Sequence, residues 1–223
     1  MIGIFDSGRG GIASLGYVRK MLPRVDIAYL ADRKNSPYGT KQKGELISLV
    51  REDIRRLLEL GAEKILIACC TASTVHGMLP KEYRDISVPI ISPTAKVAAG
   101  LTENRKITVI ATEATVRSGA FSAEIKKTDS SSKVYSIPCQ RLVGLIEGRF
   151  SNEAIEAEIS EICKKTNALG TDTLILGCTH FSHVRGIFEK RLKSVKTVDS
   201  AAIGALEIIN GIKTEENGKI LYT

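Results

Sequence analysis

Strand-sized aliphatic runs alternate with helix-spaced apolar stripes along almost the whole chain, and that alternation leaves few folds open. Residues 1–5, 27–30, 64–69, 88–91, 107–111, 134–137, 173–177 and 195–198 read as strands. Several, such as Ile65-Leu66-Ile67, are apolar without interruption, the pattern of a strand covered on both faces. Leu15, Val18 and Leu22 fall on one stripe of a helix over 12–22. Leu46, Val50, Ile54 and Leu57 do the same in a second helix that Gly61 ends. Further helices are expected over 95–101, 115–126, 140–147, 152–167 with Asn152 as cap, 182–192 and 201–209. Repeated β-α units of this kind build largely parallel sheets with helices on both faces, an α/β fold. The 43% hydrophobic and 26% charged content excludes wholesale disorder, and with 5% aromatics and no Trp the core must be mostly aliphatic. A length of 223 residues allows one large domain or two small ones and buries a core without covalent staples.

A weak internal repeat favours two units. Ile65-Leu66-Ile67-Ala68-Cys69 parallels Leu174-Ile175-Leu176-Gly177-Cys178, each a strand ending in Cys with Thr71 or Thr179 close behind. The segment Ile2-Gly3-Ile4-Phe5-Asp6-Ser7-Gly8 likewise parallels Thr108-Val109-Ile110-Ala111-Thr112. The expectation is two similar three-layer α/β lobes with the active site in the cleft between them. One lobe comprises 1–94 plus 199–223 and the other 95–198. The last strand and helix then return to the first lobe, with Val198-Asp199-Ser200 lining the cleft. From Gly211 on, with Asn217-Gly218 as a turn, the tail reads as a shortened C-terminus.

Other classes are set aside on simple grounds. No apolar run approaches the ~20 residues of a membrane helix. The chain opens on a strand without a basic segment or cleavage site, so no signal peptide is expected and the cytoplasm is the expected compartment. Five cysteines without CxxC spacing argue against a disulfide framework or a zinc knuckle, and three histidines without ligand spacing against a catalytic metal. The net charge of +7 points to an anionic ligand. Its carriers, among them Arg51, Arg55, Arg56, Lys164, Lys165, Lys190 and Arg191, are scattered among acidic residues without interleaved aromatics, so nucleic acid is a poor candidate.

Open α/β sheets bind ligands at the carboxyl ends of their strands, and three segments place chemistry there. Asp6-Ser7-Gly8-Arg9-Gly10-Gly11 follows the first strand; it is neither a Walker loop nor GxGxxG, and its glycines let backbone approach a ligand. Ala68-Cys69-Cys70-Thr71 and Gly177-Cys178-Thr179-His180 each put a thiol at a strand end ahead of an expected helix, where thiol pKa falls from ~8.5 toward neutrality. His180 can support a thiolate. Cys139 and Cys163 read as packing residues, and His76 and His183 as surface or supporting groups.

The Phe5-Asp6-Ser7-Gly8 start, Pro37-Tyr38-Gly39-Thr40, Ala68-Cys69 with Thr71-Ala72-Ser73, Ala114-Thr115-Val116 with Ser118-Gly119, Thr173 through His180, and Val198-Asp199-Ser200-Ala201 together resemble glutamate racemases, in the family's order and over residues 1 to about 205. The resemblance implies a cofactor-independent isomerase that interconverts L- and D-glutamate, with D-glutamate going into peptidoglycan. It implies Cys69 and Cys178 as the two acid–base thiols, Asp6, His180 and Glu147 as their helpers, and Ser7, Tyr38, Gly39, Cys70, Thr71, Thr115 and Thr179 as substrate contacts. It implies glutamate as the small-molecule partner and no metal, and it allows a homodimer.

This chain also departs from the pattern. Cys70 stands where the family has Asn, and a thiol is a poor substitute for an amide that binds an amino-acid head. Arg33-Lys34-Asn35-Ser36, Pro138-Cys139 and Ser182-His183 also differ from the family's usual residues. Cys70 motivates two alternatives, the same chemistry on aspartate or another amino acid, and a non-enzymatic descendant that binds an anion or a protein.

Overall fold

A computed structural model describes residues 1–148 and 150–210, and the backbone of 220–222; the expected Asn217-Gly218 turn lies outside them. The first part of the chain runs β1 (Ile2–Asp6), α1 (Ile12–Met21), β2 (Ile27–Ala31), α2 (Lys43–Glu59), β3 (Lys64–Ile67), α3 (Cys70–Ser73), α4 (Lys81–Ile86) and β4 (Ser87–Pro89). The second part runs α5 (Ile91–Leu101), β5 (Lys106–Ala111), α6 (Glu113–Ser118), α7 (Ala120–Thr128), β6 (Lys133–Pro138), α8 (Gln140–Glu147), α9 (Asn152–Ala168), β7 (Thr173–Gly177), α10 (Arg185–Arg191) and β8 (Lys196–Asp199). The chain then forms α11 (Ser200–Ile209) and β9 (Ile220–Tyr222).

Two parallel sheets result, ordered β4-β3-β1-β2-β9 and β6-β5-β7-β8. Set side by side, β4-β3-β1-β2 and β8-β7-β5-β6 are one topology used twice, so β1 corresponds to β5 and β3 to β7. Among the described residues, three apolar clusters hold the layers. Phe5, Ile65 and Ile67 of the first sheet pack with Val50, Ile54 and Leu57 of α2. Leu174 and Leu176 of the second pack with Leu142 of α8, Ile159 of α9 and Phe188 of α10. The middle cluster joins the inner sides of both sheets, from Ile4 and Leu66 through Ala95 and Ala205 to Val109 and Ile175. The fold is thus two α/β lobes on parallel sheets, fused through a shared apolar layer.

Several expectations change. The strand over 195–198, β8, pairs with β7 and stays in the second sheet; α11 crosses back to pack on α1, and β9 joins the first sheet beside β2. The expected helix over 115–126 is broken at Gly119, whose φ of 66° is a left-handed conformation that costs glycine nothing. Ser151, not Asn152, caps α9, its hydroxyl accepting from the Ala154 N–H. Residues 179–184 form a 3-10 turn before α10. Basic side chains pair with acidic ones along helix faces, as Arg55 does with Glu52 and Glu59, and Lys81 with Asp85. Among the described residues no helix is long and apolar enough to cross a membrane.

A buried acid pair braces the loop after β2. The Tyr38 hydroxyl lies 2.7 Å from Asp32 Oδ2 and 2.7 Å from Asp53 Oδ2. A phenol has one proton to donate, so the second bond needs a proton on one carboxyl. Burial, with the Asp32 charge adding, pushes Asp53 up to about 7 from the ordinary 3.8. A carboxyl whose pKa is raised by folding contributes stability that is complete below the unfolded value and lost as pH rises through the folded one, here between about pH 4 and 7. Asp53→Asn keeps a donor for Tyr38 and removes the buried charge. Melting curves are expected to show the variant several degrees more stable than the parent at pH 8.5, with the gap closing toward pH 5; parallel pH profiles would count against the shared proton.

Candidate active site

The carboxyl ends of β1, β3, β5 and β7 converge where the lobes meet. Asp6 ends β1 fully buried, its Oδ1 accepting the Gly8 N–H at 2.7 Å and its Oδ2 the Thr179 hydroxyl at 2.9 Å. Burial pushes its carboxyl up against the opposing pull of His180 and of the Gly8, Thr179 and Gly11 donors. Past β3, Cys69 caps α3, its Sγ 3.5 Å from the Ala72 N–H and 3.4 Å from the Ser7 hydroxyl. Past β7, Cys178 Sγ lies 3.5 Å from His180 Nδ1, and His180 Nε2 lies 2.6 Å from Glu147 Oε1 at the end of α8.

The two thiols differ in surroundings. Burial, then the Asp6 charge, pushes Cys69 up to about 12. This corrects the expectation of a lowered pKa: α3 has four residues, too short for a developed dipole, and desolvation of the thiolate wins. Burial also acts against charge on His180, but Cys178, Glu147 and Asp6 outweigh it and raise the imidazole well above its usual range. The hydrogen bond from His180 holds Glu147 below the ordinary carboxylate range. The resulting arrangement is a protonated Cys69 on one side and, on the other, an imidazolium that can donate to Cys178 through Nδ1 and to Glu147 through Nε2.

Glycines let the lobes close. A Cβ on Gly10 would run into Thr179 Oγ1 and come within 2.8 Å of His180 N and Nδ1, and one on Gly8 would strike Glu147 Oε1. Across the same seam, the Thr71 hydroxyl is 2.9 Å from that of Thr112 and 3.1 Å from that of Thr115. The cavity so enclosed measures about 20 Å³ and is lined by Ser7, Cys69, Thr71, Cys178, Thr179 and His180 among others. That is room for a water and not for an amino acid, so the lobes must part to admit one.

Of the expected residues, Ser7, Tyr38, Gly39, Cys69, Cys70, Thr71, Glu147, Cys178, Thr179 and His180 come together on this cavity. Asp6 lies beneath it, reaching it through Thr179 and the charge it exerts on Cys69. Thr115 stands one step back, bonded to Thr71 and Thr112, and Thr112 faces the cavity in its place. Tyr38 contributes to the wall, but its hydroxyl is committed to Asp32 and Asp53 and is not free to hold a ligand. Val198, Asp199 and Ser200 do not line the cavity: Asp199 takes the Ser182 hydroxyl and caps α11, and Ser200 donates to Leu176 O. Cys139, just before α8, and Cys163 are buried in the second lobe's core, as packing residues. Thr112, Ser36 and Gln140 were not anticipated. The internal repeat could have found Thr112, since it follows β5 as Ser7 follows β1. Nothing in the sequence marks Gln140. Among the described residues no cluster of three or more His, Cys, Asp or Glu could hold a metal ion.

Two lobes of one topology each deliver a buried thiol with its own polar helper to a common cavity, an arrangement suited to acid–base chemistry by a pair of thiols on one small molecule. Residues 24–208 match the family described as Asp/Glu/Hydantoin racemase. The chain is 36% identical over 207 residues to a glutamate racemase of Persephonella marina, covering 92% of this chain and 80% of that one. It is 33% identical over 225 residues to a glutamate racemase of Aquifex aeolicus, covering 98% and 86%. Its fold matches the crystal structure of a glutamate racemase isoform from Bacillus anthracis with a TM-score of 0.90 at 28% identity, covering 100% of this chain and 87% of that one. The glutamate racemase of Francisella tularensis in complex with D-glutamate matches with a TM-score of 0.89, also at 28%, covering 99% and 86%. The chain belongs to the Asp/Glu/hydantoin racemase family.

Proposed function

We propose that this chain interconverts L- and D-glutamate by two-thiol acid–base catalysis without a cofactor. The observation that carries the reading is the pairing of Cys69 and Cys178 at equivalent strand ends on one cavity. Inverting a carbon requires removing its proton from one face and delivering another to the opposite face. Cys178, supported by His180 and Glu147, takes the α-proton as thiolate; Cys69, which burial keeps protonated, donates its own. In the reverse direction the roles exchange. A bound α-ammonium adds a positive charge beside both sulfurs and lowers the cost of each thiolate. Thr71, Ser7 and the backbone at Gly39 offer donors to the two carboxylates and to charge building at the α-carbon. Closure of the seam excludes water from the carbanion. A reducing cytoplasm fits the function, because both thiols must stay free, as they are here. D-glutamate formed there is available for cell-wall synthesis, and a homodimer is the assembly carried by the resemblance.

The decisive measurement is incubation of L-glutamate in deuterium oxide with no added cofactor. D-glutamate carrying one α-deuterium per turnover is the expected product. Exchange confined to aspartate or another amino acid would move the activity to that substrate, the reading Cys70 motivates. Absence of α-exchange with every amino acid would leave only a binding protein.

A further inference from the structure

Among the described residues that line the cavity, Gln140 carries the one buried side-chain oxygen or nitrogen without a hydrogen-bond partner, its Oε1. Gln140 opens α8 directly after β6, and Gly39 approaches it from the other lobe: a Cβ on Gly39 would come within 2.5 Å of Oε1. A buried acceptor left unpaired costs free energy, and proteins keep such atoms mainly where a ligand or water meets them.

A second observation concerns the opposite wall. Cys70 lines the same cavity from the other lobe, at the position where the resemblance to glutamate racemases implies an amide. Cys70 is buried and packs with Leu66, Ala68 and Ile90. One lobe thus brings a thiol to the cavity at its strand end, and the other an amide oxygen without a hydrogen-bond partner.

We infer that Gln140 is a substrate-contacting, specificity-determining residue, its side-chain amide hydrogen-bonding the bound amino acid across the cavity from Cys70. The inference rests on the amino-acid racemase reading. Glutamate has one hydrogen-bond-donating group, the α-ammonium with its three N–H bonds, and an orphaned carbonyl oxygen is a natural partner for one of them; the amide's Nε2 is then left to donate to a carboxylate. Leucine at this position keeps similar bulk and removes both functions.

Steady-state kinetics of the parent, Gln140→Leu, Cys70→Asn and the double variant test this. Gln140→Leu is expected to raise KM for glutamate roughly tenfold to a hundredfold, with kcat within about threefold and no loss of melting temperature. Cys70→Asn in that background is expected to recover at least about tenfold of the KM. Unchanged KM in Gln140→Leu overturns the inference. So does a rise that Cys70→Asn does not reverse, or one accompanied by a lower melting temperature, because a merely structural role produces both. If the parent turns over no glutamate, the function proposed above fails by itself. Calorimetric binding of D-glutamate then makes the same comparison, with a tenfold weaker Kd expected for Gln140→Leu and an equal Kd overturning the assignment.

Discussion

Cys69→Ala and Cys178→Ala are each expected to lower kcat for glutamate racemisation by about a thousandfold, and the double variant to be little worse than either. The two thiols act as one unit, since a proton taken from one face is useless without one given to the other. Their loss is therefore strongly non-additive. A sharper result is expected from α-proton exchange. Each single variant keeps one thiol, and that thiol reaches one face of the α-carbon. Cys69→Ala is expected to wash deuterium from one glutamate enantiomer with retention, and Cys178→Ala from the other. The two need not be equally fast. Cys178 has His180 at 3.5 Å and, behind it, Glu147 as support, whereas Cys69 has Ser7 at 3.4 Å and a proton held by burial. Both sulfurs are buried, but neither makes more than weak hydrogen bonds, so the melting temperatures are expected to fall little. Racemisation at the parent rate in either variant would remove the two-thiol mechanism.

Much of this site is legible in the amino-acid sequence because strand ends are legible. A parallel strand buried on both faces must be aliphatic throughout, so Ile65-Leu66-Ile67 and Leu174-Ile175-Leu176 announce themselves, and the two residues that follow each lead to the ligand-binding edge. Cys69 and Cys178 are read this way, and the repeat that relates them is the shared strand order of the two sheets. What the sequence does not carry is anything decided between segments far apart. The pKa of Cys69 is set by burial under a second lobe, not by the few residues of α3 behind it. Whether Thr112 or Thr115 faces the cavity depends on how α6 is capped: the Thr112 hydroxyl accepts the Thr115 N–H. The Tyr38 hydroxyl is claimed by Asp32 and by Asp53 on α2, a partner that local motif reading cannot supply. Gln140 becomes visible only once β6 and the loop after β2 are brought to equivalent places in the two lobes.

Gly10→Ala tests the closure on which all of this geometry depends. The backbone at Gly10 is not in the left-handed region, so alanine brings no conformational strain, and the effect is one of contact alone. Its Cβ would collide with Thr179 Oγ1 and stand within 2.8 Å of His180 N and Nδ1. All three atoms belong to the second lobe, and two of them are backbone or a ring already bonded to Cys178, so they cannot swing aside as a lysine tip would. The cheapest relief is a small parting of the lobes, which stretches the Thr179–Asp6 bond and separates Cys178 from Cys69. A displacement near 1 Å between reacting groups costs about a hundredfold in rate. A fall in kcat/KM of that order is expected, with a stability loss of only about 1–3 kcal/mol because each lobe keeps its own core. Gly16→Ala and Gly44→Ala supply the contrast. Both lie in helices with nothing within 4 Å of a new Cβ, so full activity and slightly raised melting temperatures are expected there. An active Gly10→Ala enzyme would mean that the working enzyme holds its lobes further apart than the structure does, and that Asp6 and Thr179 do not meet during turnover.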